Sequence, residues 1–342
     1  MSDSPVSGKT TALRASMLHI ALALGAVYVI WGSTYLAIRF AIETIPPFLM
    51  AGTRYVTAGL LLYGWSRLRG APRPSLVNWR SAVLVGAALL LMGNGGVVWA
   101  EQRVSSGLVA LLICTEPLWI VLLVWLRSRG EKPNPRVLAG LALGFVGLVI
   151  LVKPGSSSGG IDPWGAVVVL IASLSWAWGS IYGQRARLPS SPLLSTGMQM
   201  LCGGSLQLLV SMILREPSRF AVAQVSGKSL LALGYLIVFG AIIAFTAYVW
   251  LLKAAPPVLV STYAYVNPVV AVFLGWAFAG EPITGTTMIA AAVILTGVAL
   301  ISSAQGKGHR TEEQGEKAQE EPEPESAWAE EAMETEEACA TR

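Results

Sequence analysis

Charge is what this 342-residue chain has least of: 13% of its residues are Asp, Glu, Lys or Arg. That is about half the share of an ordinary soluble domain. So few charges cannot cover the surface of a soluble globular enzyme. Histidine is almost missing, with only His19 and His309, which leaves little for a metal site. Cys114, Cys202 and Cys339 are widely spaced and suggest no disulfide framework. No Walker motif is present, which argues against ATP-driven transport by this chain. Gly155-Ser-Ser-Ser-Gly159 has the letters of a nucleophile elbow but not its strand-turn-helix setting or its His and acid partners. Gly93-Asn94-Gly95-Gly96 likewise lacks the context of a phosphate loop. No catalytic residue, cofactor or metal is expected.

What is abundant is apolar, 54% of the chain. The scarce charges are also unevenly placed. Residues 1–302 carry 20 basic and 8 acidic side chains, a balance of +12, and residues 303–342 carry 4 and 12, a balance of −8. The basic residues are scattered between apolar runs rather than gathered on one face, so no nucleic-acid partner is expected. A membrane-crossing helix needs about 20 apolar residues. Ten segments approach this length: 18–38, 48–65, 81–100, 104–126, 137–152, 164–183, 193–214, 230–252, 258–279 and 283–302. Putting the N-terminus in the cytoplasm places 15 Lys and Arg in cytoplasmic segments against 6 outside. Both termini are then cytoplasmic, with residues 1–16 leading in. Residues 303–342, rich in Glu, Ala, Gln and Pro, read as a disordered acidic tail.

The spans repeat. Trp31-Gly32-Ser33-Thr34-Tyr35 matches Trp178-Gly179-Ser180-Ile181-Tyr182 at an offset of 147. Gly52 matches Gly197 at 145, which sets Arg54 opposite Gln199. Glu116-Pro117 matches Asn267-Pro268 at 151, and Gly130-Glu131 matches Gly280-Glu281 at 150. The order is kept throughout, so residues 17–152 and 164–302 read as two five-helix halves. An odd number of spans per half forces the halves into opposite orientations, with a binding site near the midplane between them.

The stretches Tyr28–Tyr35, Pro46–Arg54, Ser175–Ser180 and Ser261–Val270 resemble the EamA domains of the drug/metabolite transporter superfamily. The resemblance spans roughly residues 18–302. It implies an all-α integral membrane protein of ten transmembrane helices in two inverted five-helix repeats. It further implies a bacterial inner-membrane exporter of small metabolites, amino acids or drugs; export direction comes from the resemblance alone. The expected partners are a small-molecule substrate and the lipid bilayer. Spans five and ten, rich in small residues, serve packing or a homodimer. A channel, or a sensor signalling through the acidic tail, is the competing class; a charge ring or filter segment would mark a channel, and neither is apparent.

Polar groups in hydrocarbon are costly and face a cavity or a partner. Glu116 is the one acid well inside a span, 12 residues or about 18 Å from its start. Asn267 lies at similar depth. The proline after each frees the carbonyl four residues back, at Ile113 and Ala264. Glu116 thus reads as a substrate or proton contact, and Asn267 as a substrate contact or hinge. For Arg54 three readings stay open: pairing with Glu116, binding an anionic group, or snorkelling to the interface. Helical spacing puts Trp31 with Tyr35, Trp178 with Tyr182, Glu116 with Trp119, and Tyr263 with Asn267 on shared faces. These aromatics, with Gln199 and Asn94, complete the expected substrate-binding set. Pro117, Pro268, Gly32 and Gly179 are the expected hinges, with close helix packing the competing reading for the glycines.

Overall fold

A computed structural model of the chain describes residues 6–127, 135–152, 162–255, 260, 263–297 and 299–300. The expected tail at 303–342, the pair Gly130-Glu131 and the stretch 155–159 lie outside the described residues. All regular structure among the described residues is helical. The elements are α1 (Val6–Ala41), α2 (Pro47–Leu68), α3 (Leu76–Ala100), α4 (Ser106–Ile113), α5 (Glu116–Arg127) and α6 (Pro135–Val152). They continue as α7 (Pro163–Arg185), α8 (Pro192–Ile213), α9 (Gly227–Leu252), α10 (Tyr263–Ala279) and α11 (Gly285–Gly297).

Local chemistry sets the helix starts. Proline opens α2, α7 and α8, where its missing N–H costs nothing. Asp162, Ser191 and Ser226 accept from the first turns of α7, α8 and α9, and Ser75 forms a reciprocal capping box with Asn78 at α3. Among the described residues six segments are long and apolar enough to cross a membrane: Met17–Ala41, Leu76–Ala100, Ser106–Leu123, Pro163–Arg185, Pro192–Ile213 and Gly227–Leu252. Shorter apolar helices accompany them, including Val266–Ala279 and Gly285–Gly297. α1 begins at Val6, well ahead of its expected start.

The expected fourth span is two helices. α4 stops at Ile113, and α5 restarts at Glu116. The break falls at Cys114-Thr115, where the Thr115 hydroxyl donates to the Leu112 carbonyl at 2.7 Å. Pro117 therefore stands in a first turn rather than kinking a continuous helix. Pro268 does lie inside a continuous helix. The Ala264 carbonyl, expected to be freed by it, accepts from the Cys114 thiol across the break in the other half.

Close crossings are lined by glycine. α2 and α8 meet through Gly52, Gly59, Gly197 and Gly204. A Cβ on Gly59 would stand 2.8 Å from the Leu201 backbone nitrogen, and one on Gly204 would stand 2.8 Å from that of Val56. Both glycine pairs keep the offset of 145. α6 and α11 meet in the same way through Gly144, Gly147 and Gly297. Gly32 of α1 abuts Val270 of α10, and Gly179 of α7 abuts Ala88 and Leu89 of α3. All are close-packing positions.

Two wide turns were not anticipated. α3 is π-helical over Ala87–Asn94, and α9 over Leu236–Ile243, an offset of 149 at both ends. Such turns are rare and cluster at functional sites.

The first face of the bundle, with connections 42–46, 101–105, 214–226 and 280–284, is tied across the halves. Glu216 accepts from the Phe48 and Leu49 amides at 3.2 and 2.7 Å, at the start of α2. Glu281 accepts from the Ser106 amide and hydroxyl, both at 2.8 Å, and from the Gly107 amide at 3.1 Å, at the start of α4. Carboxylates suit helix N-termini, where unpaired N–H groups gather. Lys228 pairs with Glu43 at 2.6 Å, and Ser229 donates to the Phe40 carbonyl at 2.8 Å. The second face carries connections 69–75 and 186–191, joined where Asn78 donates to the Arg187 carbonyl at 2.8 Å.

Candidate functional site

Between the halves lies a central cavity of about 70 Å³. α1 contributes Trp31, Tyr35 and Ile38; α2 contributes Arg54; α3 contributes Asn94; α5 contributes Glu116. From the second half come Trp176, Phe245, Tyr263 and Asn267. Helical periodicity explains α1, because residues 31, 35 and 38 fall on one face. The π-turns explain two approaches. The one in α3 ends at Gly93 and Asn94, both at the wall, and the one in α9 carries Gly240 against Arg54.

Arg54 and Glu116 are buried, at 2% and 4% exposure. They line the same cavity but form no ion pair. Glu116 Oε2 accepts from the Tyr263 hydroxyl at 2.5 Å. Arg54 Nε donates to the Leu236 carbonyl at 3.1 Å, and its guanidinium lies 4.7 Å from the Tyr55 ring centre. Arg54 Nη1 has no hydrogen-bond partner among the described residues, and neither does Asn94 Oδ1. A Cβ at residue 240 would stand 2.7 Å from Arg54 Nη2, so glycine there makes room for the guanidinium. With its amide turned so that the nitrogen donates, Asn267 reaches the carbonyls of Tyr28 at 3.1 Å and Tyr263 at 3.3 Å. It thereby links α10 to α1.

Aromatic rings close the cavity. Trp31 packs within 5.9 Å of Trp176, 4.9 Å of Tyr248 and 5.5 Å of Tyr263, centre to centre. Its indole N–H donates to the Gly240 carbonyl at 3.3 Å. Beyond this cluster, toward the second face, lies a larger cavity of about 290 Å³. It is lined by Leu89, Ser180, Gln184, Gln199 and Leu252 among others. Phe245 lines both cavities and stands between them.

The expected residues divide accordingly. Glu116, Asn267, Arg54, Tyr263, Trp31, Tyr35 and Asn94 converge on the central cavity. Gln199 lines the larger one, and its amide donates to the Ser195 hydroxyl at 3.0 Å. Trp178 is 45% exposed and stacked on Tyr182, and neither lines a cavity described here. Trp119 packs on Phe145 and also stands outside. Trp176, Phe245 and Tyr248 were missed. The signal for Trp176 was present in Ser175-Trp-Ala-Trp, but matching Trp31 by repeat selected the other tryptophan.

A second buried acid was missed as well. Glu101, in the connection between α3 and α4, is 0% exposed, and neither carboxylate oxygen has a partner among the described residues. Burial pushes its carboxyl well above the usual range. Glu281 adds to that shift, while Arg39 and Arg54 oppose it. No cluster of three or more His, Cys, Asp or Glu able to hold a metal occurs among the described residues.

The EamA-like transporter family model matches residues 17–153 and again 163–303. The inner membrane transporter YedA of Escherichia coli (strain K12) is 43% identical over 82% of this chain and 89% of its own. Protein PecM of Dickeya dadantii (strain 3937) is 28% identical over 80% and 88%. The transporter YoaV of Bacillus subtilis (strain 168) is 24% identical over 82% and 96%. A crystal structure at 22% identity aligns over 82% of this chain and 95% of its own with a TM-score of 0.59, a likeness of fold alone.

Proposed function

Because the chain belongs to the EamA-like transporter family, we propose that it is a secondary transporter working by alternating access at the central cavity. It is a multi-pass inner-membrane transporter rather than an enzyme. The finer reading is ten helices in two inverted halves. The double family match, the glycine crossings at one offset and the paired π-turns at another support it. The N-terminus is assigned to the cytoplasm by the basic loops. The second face, with its larger cavity, is then cytoplasmic, and the first face is sealed.

The observation that carries the proposal is a buried cavity lined by both halves, holding a guanidinium and a carboxylate that do not pair. Charges are kept in such a place when something mobile uses them. Glu116 is assigned the proton step and export the direction. A substrate screen comes first: the chain is overexpressed in a sensitive host, and toxic amino acids, analogues and drugs are tested for conferred resistance. Any hit is then followed in proteoliposomes. Saturable flux with counterflow supports a carrier, and non-saturating conductance overturns it. Glu116→Gln should abolish acceleration by a pH gradient while leaving counterflow; unchanged acceleration would remove Glu116 from the coupling step.

A further inference from the structure

Resting on the transporter reading, we infer that the solute carries a carboxylate on an apolar or aromatic body, and that Arg54 reads the carboxylate. Arg54 is only 2% exposed, and a buried guanidinium is costly unless its charge and its N–H groups are answered. Arg54 is answered only in part. Nε meets the Leu236 carbonyl, a ring lies beside the plane, and Nη1 has no partner among the described residues.

Neither nearby acid neutralises it by contact. Glu116 is engaged by Tyr263, and no ion pair joins it to Arg54. Glu101 makes no hydrogen bond through its carboxylate among the described residues, and its burial favours the uncharged form. Arg54 lines the cavity with a buried donor that has no acceptor among the described residues, and a bound carboxylate supplies one in charge-assisted geometry.

The walls argue for the rest of the molecule. Trp31, Trp176, Phe245 and Tyr263 offer ring surface to an apolar body. Aromatic rings also attract cations, but a buried guanidinium in the same small space repels them. Glu116 and the unpartnered Asn94 Oδ1 could accept from an ammonium group. A carboxylate without an ammonium and an α-amino acid therefore share the decisive chemistry.

The purified full-length chain is tested by tryptophan fluorescence and by proteoliposome counterflow with four matched probes. These are 3-phenylpropionate, phenylalanine, 3-phenylpropionamide and phenethylamine, with 4-methylpentanoate, leucine and their amide and amine counterparts as an aliphatic set. At least one acid should bind and exchange about tenfold or more better than its amide and amine, the worth of one charge-assisted bond. Phenylalanine against 3-phenylpropionate, and leucine against 4-methylpentanoate, then decide whether the ammonium is read. Arg54→Gln should erase the acid's advantage, and Arg54→Lys should keep part of it. The matched probes on the unaltered chain decide the matter even if the variants fold poorly. Amides or amines exchanging as well as the acids would overturn the carboxylate assignment and leave the carrier standing. Saturable exchange of none of the probes, nor of any hit from the resistance screen, would overturn both.

Discussion

At the scale of single residues, burial without a partner is the informative state. Glu101 is fully buried with both carboxylate oxygens unanswered among the described residues, and its folded pKa is raised by burial. A raised carboxyl favours folding below its unfolded pKa, and that stability is lost as pH rises through the folded value. Glu101→Gln, which cannot ionise, should leave stability at pH 4, below the unfolded value of about 4.3, nearly unchanged. At pH 8 it should raise stability by on the order of 1–3 kcal/mol, read as thermal unfolding in detergent. Equal shifts at both pH values would remove ionisation as the cause. Gly240 tests the opposite constraint, since its missing Cβ is the room Arg54 occupies. Gly240→Ala should displace the guanidinium and weaken solute binding about tenfold or more, the typical cost of overpacking. Unchanged binding would show that Arg54 can shift freely. At this scale the sequence is legible where a charge or amide stands in an apolar run, as at Glu116, Asn267 and Arg54. It misleads at Trp178, because a repeat match preserves helix position but not which neighbour a ring meets.

At the scale of elements, helix ends and wide turns do the positioning. Glu216 and Glu281 each join two segments far apart in the chain. Glu281→Gln exchanges a charge-assisted cap for a neutral one and should cost about 1–2 kcal/mol. Glu281→Ala should cost more, with the same scan as readout; no loss from either would show that water caps α4 equally well. The start of α4 could be inferred from Ser105-Ser106, but the acid that caps it lies 175 residues away and leaves no local mark. The π-turns were equally hidden. Their composition is merely apolar, and a widened turn registers only as the place where helical periodicity slips. The prolines show the reverse. Both positions were plain in sequence, yet Pro117 begins a helix while Pro268 is absorbed within one. Tertiary contacts, above all Cys114 on the Ala264 carbonyl, decide between those fates.

At the scale of the whole molecule, the two faces differ. Among the described residues one is tied by caps and two ion pairs, and the other holds the larger cavity. With native cysteines replaced, a cysteine at Ser190 should react with a membrane-impermeant thiol reagent in inside-out vesicles. One at Thr44 should react in right-side-out cells. The reverse pattern would overturn the assigned orientation. Adding transported solute should slow labelling at Ser190 several-fold if the larger cavity narrows during the cycle. The helical plan with long apolar segments was legible because apolar length survives in a linear string. The difference between the faces was not, because it depends on which halves touch in one state.

The ties on the first face also have a genetic side. Glu216 and Glu281 both belong to the second half, while the first half answers mainly with main-chain amides. A main-chain donor survives any point substitution except proline. Phe48 and Leu49 can therefore drift without losing their part in the clasp. Codons 216 and 281 cannot. The two sides of the clasp therefore carry unequal mutational burdens, and random mutagenesis that selects for a leaky first face should collect its hits mainly among residues 164–302.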